Sequence, residues 1–244
     1  MRKFSKLYHS RKTRNWAVSD PISNDIYIAE FPKSGITWLS TMILNALYLN
    51  GDCPLQPTFY NVQALIPDIH IAGKQSVGPN RFENNVLGRL IKTHHRNCDH
   101  YKNAIYLARH PVAVMTSYFH YMKQINNLDM SEHQFLRNKS IGINAWRKHV
   151  DSWINKQRHW QRIHLVKYED LATNPVDTLA SLFQNLGCDI EAKIFERAVS
   201  FSNEENMRKT ELVMANHNPG YKLRFVKSHN SSLSNEAKEY ILEN

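Results

Sequence analysis

The eight residues Phe31-Pro32-Lys33-Ser34-Gly35-Ile36-Thr37-Trp38 connect a strand pattern to a helix pattern. Residues 25–30 form a strand-like run, and apolar residues recur with helical spacing over residues 38–48. A strand, a tight loop with glycine and a helix together suit a phosphate, because loop N–H groups and the helix N-terminus direct partial positive charge at the anion. Lys33, Ser34 and Thr37 add donors. The loop lacks the glycine pattern of a Walker A motif, G-x-x-x-x-G-K-[ST].

The rest of the chain continues the alternation of strand and helix patterns. Further strands are predicted over residues 88–94, 103–108 and 162–168, and residues 57–89 are expected to be irregular with one or two short helices. Helices are predicted over residues 112–123, 143–159, 174–186, 190–199 and 233–242, with Gly187 and Ser234 as caps. This order predicts an α/β fold with a parallel sheet covered by helices on both faces.

Composition is compatible with one globular domain spanning residues 1–244. The chain has 244 residues and 42% hydrophobic content, enough for one sizeable core. Its formal charge of +9 predicts an anionic partner, which a nucleic acid, a membrane surface or a phosphorylated cofactor would each satisfy. The densest basic stretch, Met1–Arg14, is expected to belong to an arm over residues 1–20. We see no apolar signal segment and no run of about 18 apolar residues. Three cysteines without metal-binding spacing favour a reducing, cytoplasmic location.

Four polar side chains follow the predicted strands directly. Lys33, His94, Arg109 and Tyr168 each lie just after a strand. Because ligands of parallel sheets bind at the carboxyl ends of the strands, these residues should converge on one edge.

Three of these strand ends carry longer motifs. The loop at residues 31–38 resembles the 5′-phosphosulfate loop of the sulfotransferases that use 3′-phosphoadenylyl sulfate (PAPS), Y/F-P-K-S/A-G-T-T-W, with Ile36 as the departure. Residues 108–120 resemble the family's 3′-phosphate segment, in which Arg109 and Ser117 keep the spacing of eight residues; His110 replaces the usual Asn or Asp. Lys92-Thr93-His94 resembles the K-T-H that carries the family's catalytic histidine. The resemblance implies a P-loop-like, three-layer α/β fold.

Two further segments resemble the family less closely. Tyr168-Glu169-Asp170-Leu171 matches the family's Y-E-D-L, although Asp170 is also a candidate helix N-cap. Val199-Ser200-Phe201 resembles its T-S-F adenine segment, and the C-terminal glycine-rich loop has no clean counterpart. Residues 205–232 are expected to form a flexible cofactor or substrate loop.

The resemblance implies transfer of a sulfuryl group from PAPS to a hydroxyl or amine, with PAP as the product and no metal. His94 would act as general base, and Lys33 with Lys92 would stabilise the leaving phosphate. His95 is a second candidate base. The residues expected to bind the cofactor are Lys33, Ser34, Gly35, Ile36, Thr37, Trp38, Arg109, Ser117, Tyr168, Phe201, Lys222, Arg224 and Lys227. For Trp38, core packing is the alternative to stacking on adenine.

Two other classes of function remain open at this stage. A nucleotide or metabolite kinase would need the Walker A glycines and a carboxylate for Mg²⁺, neither of which is evident. A basic nucleic-acid-binding module would explain the charge but not the motifs. The expected partner is a small acceptor, aromatic or amphipathic, rather than nucleic acid or an inserted membrane. Candidate linings, each equally a candidate for the core, are Phe59, Tyr60, Phe82, Phe119 and Tyr121. A monomer or homodimer is expected.

Overall fold

A computed structural model describes residues 24–58, 61–69, 86–127, 129–217, 221 and 232–244. The elements in chain order are β1 (Ile26–Glu30), α1 (Ile36–Leu49), α2 (Val62–Leu65), β2 (Leu90–Thr93), β3 (Asn103–Ala108), α3 (Pro111–Asn126), α4 (Glu132–Leu136), α5 (Ile143–Ile154), β4 (Arg162–Lys167), α6 (Tyr168–Thr173), α7 (Pro175–Asn185), α8 (Ala192–Phe201), α9 (Glu204–His217) and α10 (Asn235–Glu243).

The four strands form one parallel sheet in the order β2-β1-β3-β4. Strand β1 lies in the middle and is buried along its whole length, as is typical of parallel strands with helices on both faces. Its register pairs Ala29 with Thr93 on one side and with Tyr106 on the other. The carboxyl ends of β1, β2 and β3 therefore lie side by side.

Neighbouring residues of β1 face opposite layers. Ile28 packs in a core with α1, α7 and α8, whereas Tyr27 and Ala29 pack on the other face, with Trp153 of α5. Another apolar cluster joins α3, α4 and α10. Both faces of the sheet are covered, which confirms the predicted three-layer α/β fold. Within the described ranges, no helix has the length and apolar character needed to cross a membrane.

Both predicted helix caps are confirmed. The backbone of Gly187 is left-handed, with φ of 79°. Its N–H donates to the carbonyl of Gln184, while that of Cys188 donates to Phe183, which is a Schellman motif. The hydroxyl of Ser234 accepts from the Ala237 N–H at the start of α10.

Several boundaries differ from the sequence predictions, and the largest differences involve α5, α6 and α9. Helix α5 ends at Ile154 rather than at residue 159, because the polar run after it offers no side chain for the buried face. Tyr168 begins α6 instead of ending β4, and Asp170 lies inside the first turn of that helix instead of capping it. The expected loop at 205–232 is wrong for its first part, since α9 extends to His217.

Helix α9 has identifiable local support. Ion pairs at i,i+4 spacing join Glu204 to Arg208 and Glu205 to Lys209, and Met207 is buried.

Several predicted residues lie outside the described part of the chain: the arm at residues 1–20, Phe59, Tyr60, Phe82, Lys222, Arg224 and Lys227.

Candidate active site

Contacts between side chains and loops join the carboxyl ends of the strands. Nη1 of Arg109, after β3, donates to the Lys33 carbonyl at 3.1 Å. Nδ1 of His94, after β2, lies 3.4 Å from the carbonyl oxygen of Glu30, at the end of β1. The guanidinium of Arg109 stacks on the Tyr168 ring at 3.9 Å. Lys33, His94, Arg109 and Tyr168 therefore converge as the sequence predicts.

The loop between β1 and α1 contains two residues with positive φ. Lys33 has φ of 75°, which is uncommon for a residue with a side chain and concentrates at functional sites, and Gly35 has φ of 117°. A Cβ atom on Gly35 would stand 2.7 Å from Cδ2 of Tyr168. Glycine is thus required at position 35 both by the backbone and by the close approach of the aromatic ring.

Substitution of Gly35 by alanine tests this double requirement. We expect the free energy of unfolding to fall by about 1–3 kcal/mol, because backbone strain adds to the clash with Tyr168. Gly187→Ala is the matched control: position 187 has φ of 79°, but nothing lies within 4 Å of its Cβ. Chemical denaturation of both variants measures the difference. Equal losses would show that the Tyr168 contact contributes nothing.

Ser34 and Ile36, two residues expected to bind the cofactor, have hydrogen-bond partners within the chain. The Ser34 hydroxyl donates to the Phe31 carbonyl at 2.8 Å, and the Ser34 N–H donates to the same oxygen. The Ile36 N–H donates to Oε2 of Glu30 at 2.8 Å, which places a carboxylate at the N-terminus of α1. These bonds fix the loop conformation. Lys33, Gly35 and Thr37 are each partly exposed in the same loop.

Four ionisable side chains form a mostly buried cluster beside the loop. The His94 Nε2 lies 3.4 Å from Oδ2 of Asp68, and its Nδ1 lies 3.8 Å from Oε1 of Glu30. Glu30, Asp68 and Lys92 are 2%, 6% and 6% exposed. At this degree of burial, the charge state of each group depends on the charges and hydrogen bonds of its neighbours.

The pKa values in this cluster shift accordingly. Burial raises the pKa of the Glu30 carboxyl, against the attraction of His94 and the Ile36 N–H. It also lowers the pKa of Lys92 to about 8, against the attraction of Asp68 and Glu30. For His94, burial lowers the pKa, but contact with Asp68 and the charge of Glu30 outweigh it, so that the pKa is raised above 6.5.

The second candidate base, His95, has a different environment. Its Nδ1 lies 3.2 Å from the Tyr101 hydroxyl, and its carbonyl accepts a hydrogen bond from Trp153 in the aromatic core. Burial and the adjacent His94 lower its pKa. His94, unlike His95, lies against both carboxylates of the cluster.

In the part of the chain that the structure describes, Arg109 has one bonded and one unbonded donor nitrogen at the end of β3. One guanidinium nitrogen holds the Lys33 carbonyl, while Nε is buried and has no hydrogen-bond partner within the described ranges. A buried donor without a partner is rare in folded proteins. The next residue, His110, donates its N–H to Oε1 of Glu169. This bond ties the β3 end to helix α6.

Trp38 and Tyr168 are neighbouring aromatic side chains beside the loop. The indole of Trp38 packs 5.7 Å from the Tyr168 ring, and its Nε1 donates to the Ser202 carbonyl at 2.8 Å. Phe201, the last residue of α8, is 37% exposed. Trp38 is partly buried and packs against the main core, and its stacking on adenine stays a prediction. Ser117 lies on α3, where it is partly exposed.

Sequence reasoning missed three carboxylates at this edge. Glu30 reads as part of a strand, and Asp68 lies in a stretch without periodicity. Glu169 belongs to a quoted motif, but its bond to His110 is a contact between distant segments. A carboxylate at the end of a strand that enters a phosphate loop was the one local signal available for Glu30.

A family model described as the sulfotransferase domain matches residues 23–240. The chain belongs to this family. Sulfotransferase 1B1 of Canis lupus familiaris is 28% identical over 223 residues, which cover 84% of this chain and 73% of the relative. Sulfotransferase 1 family member D1 of Mus musculus is 29% identical over 204 residues, which cover 76% and 66%. The prediction of a sulfotransferase is thereby confirmed, in preference to a kinase or a nucleic-acid-binding module.

Solved structures share the fold. Mouse sulfotransferase SULT7A1, complexed with PAP, superposes with a TM-score of 0.63 at 19% identity, covering 94% of this chain and 84% of that one. Retinol dehydratase in complex with androsterone and PAP gives 0.64 at 15% identity, covering 91% and 80%. At such identities these likenesses establish the P-loop-like α/β architecture.

Proposed function

We propose that this sulfotransferase moves the sulfuryl group of PAPS to a hydroxyl or amine of a small molecule, with His94 as base. The observation that carries the proposal is the grouping of Lys33, Lys92 and His94 at one sheet edge, with Arg109 beside them. The family's domain covers all four residues. PAP in the related structures supports PAPS as co-substrate.

The reaction needs a base and a cationic site. The acceptor oxygen attacks sulfur in line with the bridging oxygen of the phosphosulfate, and its proton passes to the imidazole of His94. As the S–O bond to the phosphate breaks, negative charge grows on the bridging oxygen. Lys33 and Lys92 stabilise that charge, which is the largest contribution in many group transfers.

The cofactor fits the loop and the residues around it. Arg109 offers a partly buried guanidinium, whose buried Nε has no partner within the described ranges, for the 3′-phosphate, and Ser117 adds a hydroxyl from α3. The donors of Ser34 and Ile36 are already bonded within the chain. Gly35 and Thr37, at the start of α1, are therefore proposed to bind the 5′-phosphosulfate. Trp38, Tyr168 and Phe201 supply aromatic faces for adenine; Lys222, Arg224 and Lys227 stay predictions.

The acceptor side is proposed to border Tyr121. The Lys33 ammonium lies 4.6 Å above the Tyr121 ring, which places an aromatic face next to the reacting group. Phe119, the other described candidate, is 4% exposed and packs on Phe135 in the core. An androsterone-bound and a retinol-bound relative support a small apolar or ring-bearing acceptor.

A cytoplasmic location is proposed as well, because Cys53, Cys98 and Cys188 are free thiols.

Ligand binding and sulfate transfer test the function directly. PAP and PAPS should raise the melting temperature of the protein, and ATP should do so much less. Incubation with labelled PAPS and a panel of phenols, alcohols, sugars and amines should label at least one acceptor, also with EDTA present. Stabilisation by ATP with Mg²⁺, together with loss of activity in EDTA, would favour the kinase alternative.

Replacement of Arg109 by alanine should weaken binding of PAP selectively. The expected loss is about 1.5–3 kcal/mol, the scale of a charge-assisted hydrogen bond. Adenosine 5′-monophosphate, which lacks the 3′-phosphate, should lose little. Isothermal titration of both ligands measures the difference. Arg137→Ala, where another guanidinium packs on an aromatic ring 5.3 Å away, is the control. Equal losses for the two ligands would contradict recognition of the 3′-phosphate.

A further inference from the structure

We propose that Asp68 is a positioning residue for His94: it orients the imidazole and stabilises the imidazolium formed when the acceptor loses its proton. The inference rests on the proposed function of His94 as base. Asp68 lies in no motif of the sequence and contacts His94 only through the fold. It is 6% exposed, and its Oδ2 lies 3.4 Å from Nε2 of His94.

The backbone holds Asp68 in place beside β2. The Lys92 N–H donates to the Pro67 carbonyl at 2.9 Å, and the Ile69 N–H donates to the Lys92 carbonyl at 3.2 Å. Asp68 thereby forms a parallel bridge with Lys92. Main-chain bonds on both sides thus fix the backbone from which the Asp68 carboxylate extends to His94, as a positioning group requires.

The two ring nitrogens of His94 face oxygen atoms in opposite directions. Nε2 faces Asp68, while Nδ1 faces the carbonyl and carboxylate of Glu30 at 3.4 and 3.8 Å. Oxygen acceptors on both sides favour the doubly protonated ring. The 3.4 Å contact to Asp68 is longer than the 2.7–2.9 Å typical of charge-assisted bonds, so it leaves room for adjustment as an acceptor hydroxyl approaches.

Each element around His94 contributes ionisable side chains. Glu30 and Lys33 come from β1 and its loop, Lys92 from β2, Asp68 from the bridged segment, and His95 and Arg96 from the residues after β2. Helix α5 adds His149, whose pKa burial lowers to about 3, so that it is neutral at physiological pH. The carboxylates of Glu30 and Asp68 are the anions that act on His94, and Asp68 gives the closer ion-pair contact.

The proton balance defines what Asp68 does. The acceptor O–H bond breaks as the new O–S bond forms and the S–O bond to the leaving phosphate breaks. Because Nδ1 carries the N–H that faces the Glu30 carbonyl in the neutral ring, the acceptor proton ends on Nε2 of His94. The cluster then holds one additional positive charge in a buried site, where an unpaired charge is costly. Asp68 compensates that charge without taking the proton. Its loss should therefore affect both the orientation of the ring and the pH at which the ring becomes protonated.

Ion pairing with Lys92 is the alternative role for Asp68, since the two residues also attract each other. Removal of the carboxylate would then lower stability without changing the titration of His94. The two roles can be separated experimentally, because only the positioning role changes the pH at which His94 is protonated.

The test uses Asp68→Asn and Asp68→Glu in the full chain with PAP bound. Histidine labelled at Cε1 is followed by NMR, and the His94 signal is assigned by its absence in His94→Gln. In Asp68→Asn the titration midpoint should fall by about one pH unit or more, the scale of a lost neighbouring charge. Asp68→Glu should restore most of the shift. An unchanged midpoint in folded Asp68→Asn would overturn the proposal.

A control variant separates the effect of the Asp68 carboxylate on His94 from a general loss of stability. Asp25→Asn removes another buried carboxylate, which pairs with Arg89 at 2.6 Å outside the cluster. It should lower the melting temperature and leave the His94 midpoint unchanged. A matching change in both variants would mean that the midpoint reports stability, and the proposal would fail.

Activity provides the second readout, with 2-naphthol as the probe acceptor or any acceptor labelled in the panel. Asp68→Asn should reduce kcat about tenfold at high pH, part of the 10²–10⁴-fold that a general base contributes, and extend activity to lower pH. Wild-type rates in Asp68→Asn with an inactive His94→Ala would overturn the role of Asp68 alone. No transfer from PAPS by the wild type would instead overturn the proposed function.

Discussion

His94→Ala is expected to reduce turnover on a hydroxyl acceptor by about 10²-fold or more, the usual consequence of losing a general base. PAP binding should persist, because the imidazole contacts carboxylates and a carbonyl of the chain. Steady-state rates with labelled PAPS and titration with PAP measure the two quantities. Loss of PAP binding in proportion to the rate would contradict a role confined to proton transfer.

The matched control is His95→Ala, which should leave the chemical step nearly unchanged. His95 packs towards Tyr101 and the aromatic core, although it neighbours His94 in the sequence. An acidic phenol, which is already ionised, should lose less rate than an alcohol in the His94 variant. An inactive His95→Ala beside an active His94→Ala would reverse the assignment and leave the family membership intact.

The same chemistry predicts a bell-shaped pH profile for the wild type. His94 must be neutral to accept a proton, so the rate should rise through its pKa, which contact with Asp68 and the charge of Glu30 raise above 6.5 despite burial. Lys92 must be charged to stabilise the leaving phosphate, and burial lowers its pKa to about 8. The rate should therefore fall again as the pH passes about 8. A rate that stays level well above this pH would exclude Lys92 as a catalytic cation.

The strands were predictable because parallel strands read as continuous apolar runs. The central strand β1 and its neighbour β3 have this character, and both lie within a residue of the predicted bounds. Helix α9 was missed because its sequence is polar and its support comes from ion pairs such as Glu205–Lys209. Such pairs stabilise a helix only slightly and leave no apolar periodicity to recognise.

The site was predictable where motif and strand end coincide. Lys33, His94 and Arg109 each follow a buried strand, and parallel pairing brings such positions together without further information. Asp68 was not predictable, since it reaches His94 through a bridge from an irregular segment. A motif also does not show which donors are already bonded within the chain. The Phe31 carbonyl accepts hydrogen bonds from both the hydroxyl and the N–H of Ser34, and the Glu30 carboxylate accepts one from the Ile36 N–H.

Lys33→Ala is expected to lower turnover by about 10²–10³-fold, as does removal of one donor that stabilises developing charge. Affinity for PAP should change far less, because the charge on the bridging oxygen grows only as the bond to sulfur breaks. The backbone role of residue 33 survives the substitution, since Arg109 binds its carbonyl rather than its side chain. Single-turnover rates and PAP titration measure the two effects separately.

Lys123 offers a matched control for the loss of a cation over an aromatic ring. Its ammonium lies 5.1 Å above the Phe119 ring, and that of Lys33 lies 4.6 Å above the Tyr121 ring. Lys123 is exposed, however, and has no proposed part in the reaction. Lys123→Ala should retain wild-type turnover. Lys33→Arg should recover part of the rate, because it restores charge but not the compact ammonium. If turnover and PAP affinity fall together in Lys33→Ala, Lys33 only binds the cofactor, and the leaving oxygen must be stabilised by Lys92 or by the N-terminus of α1.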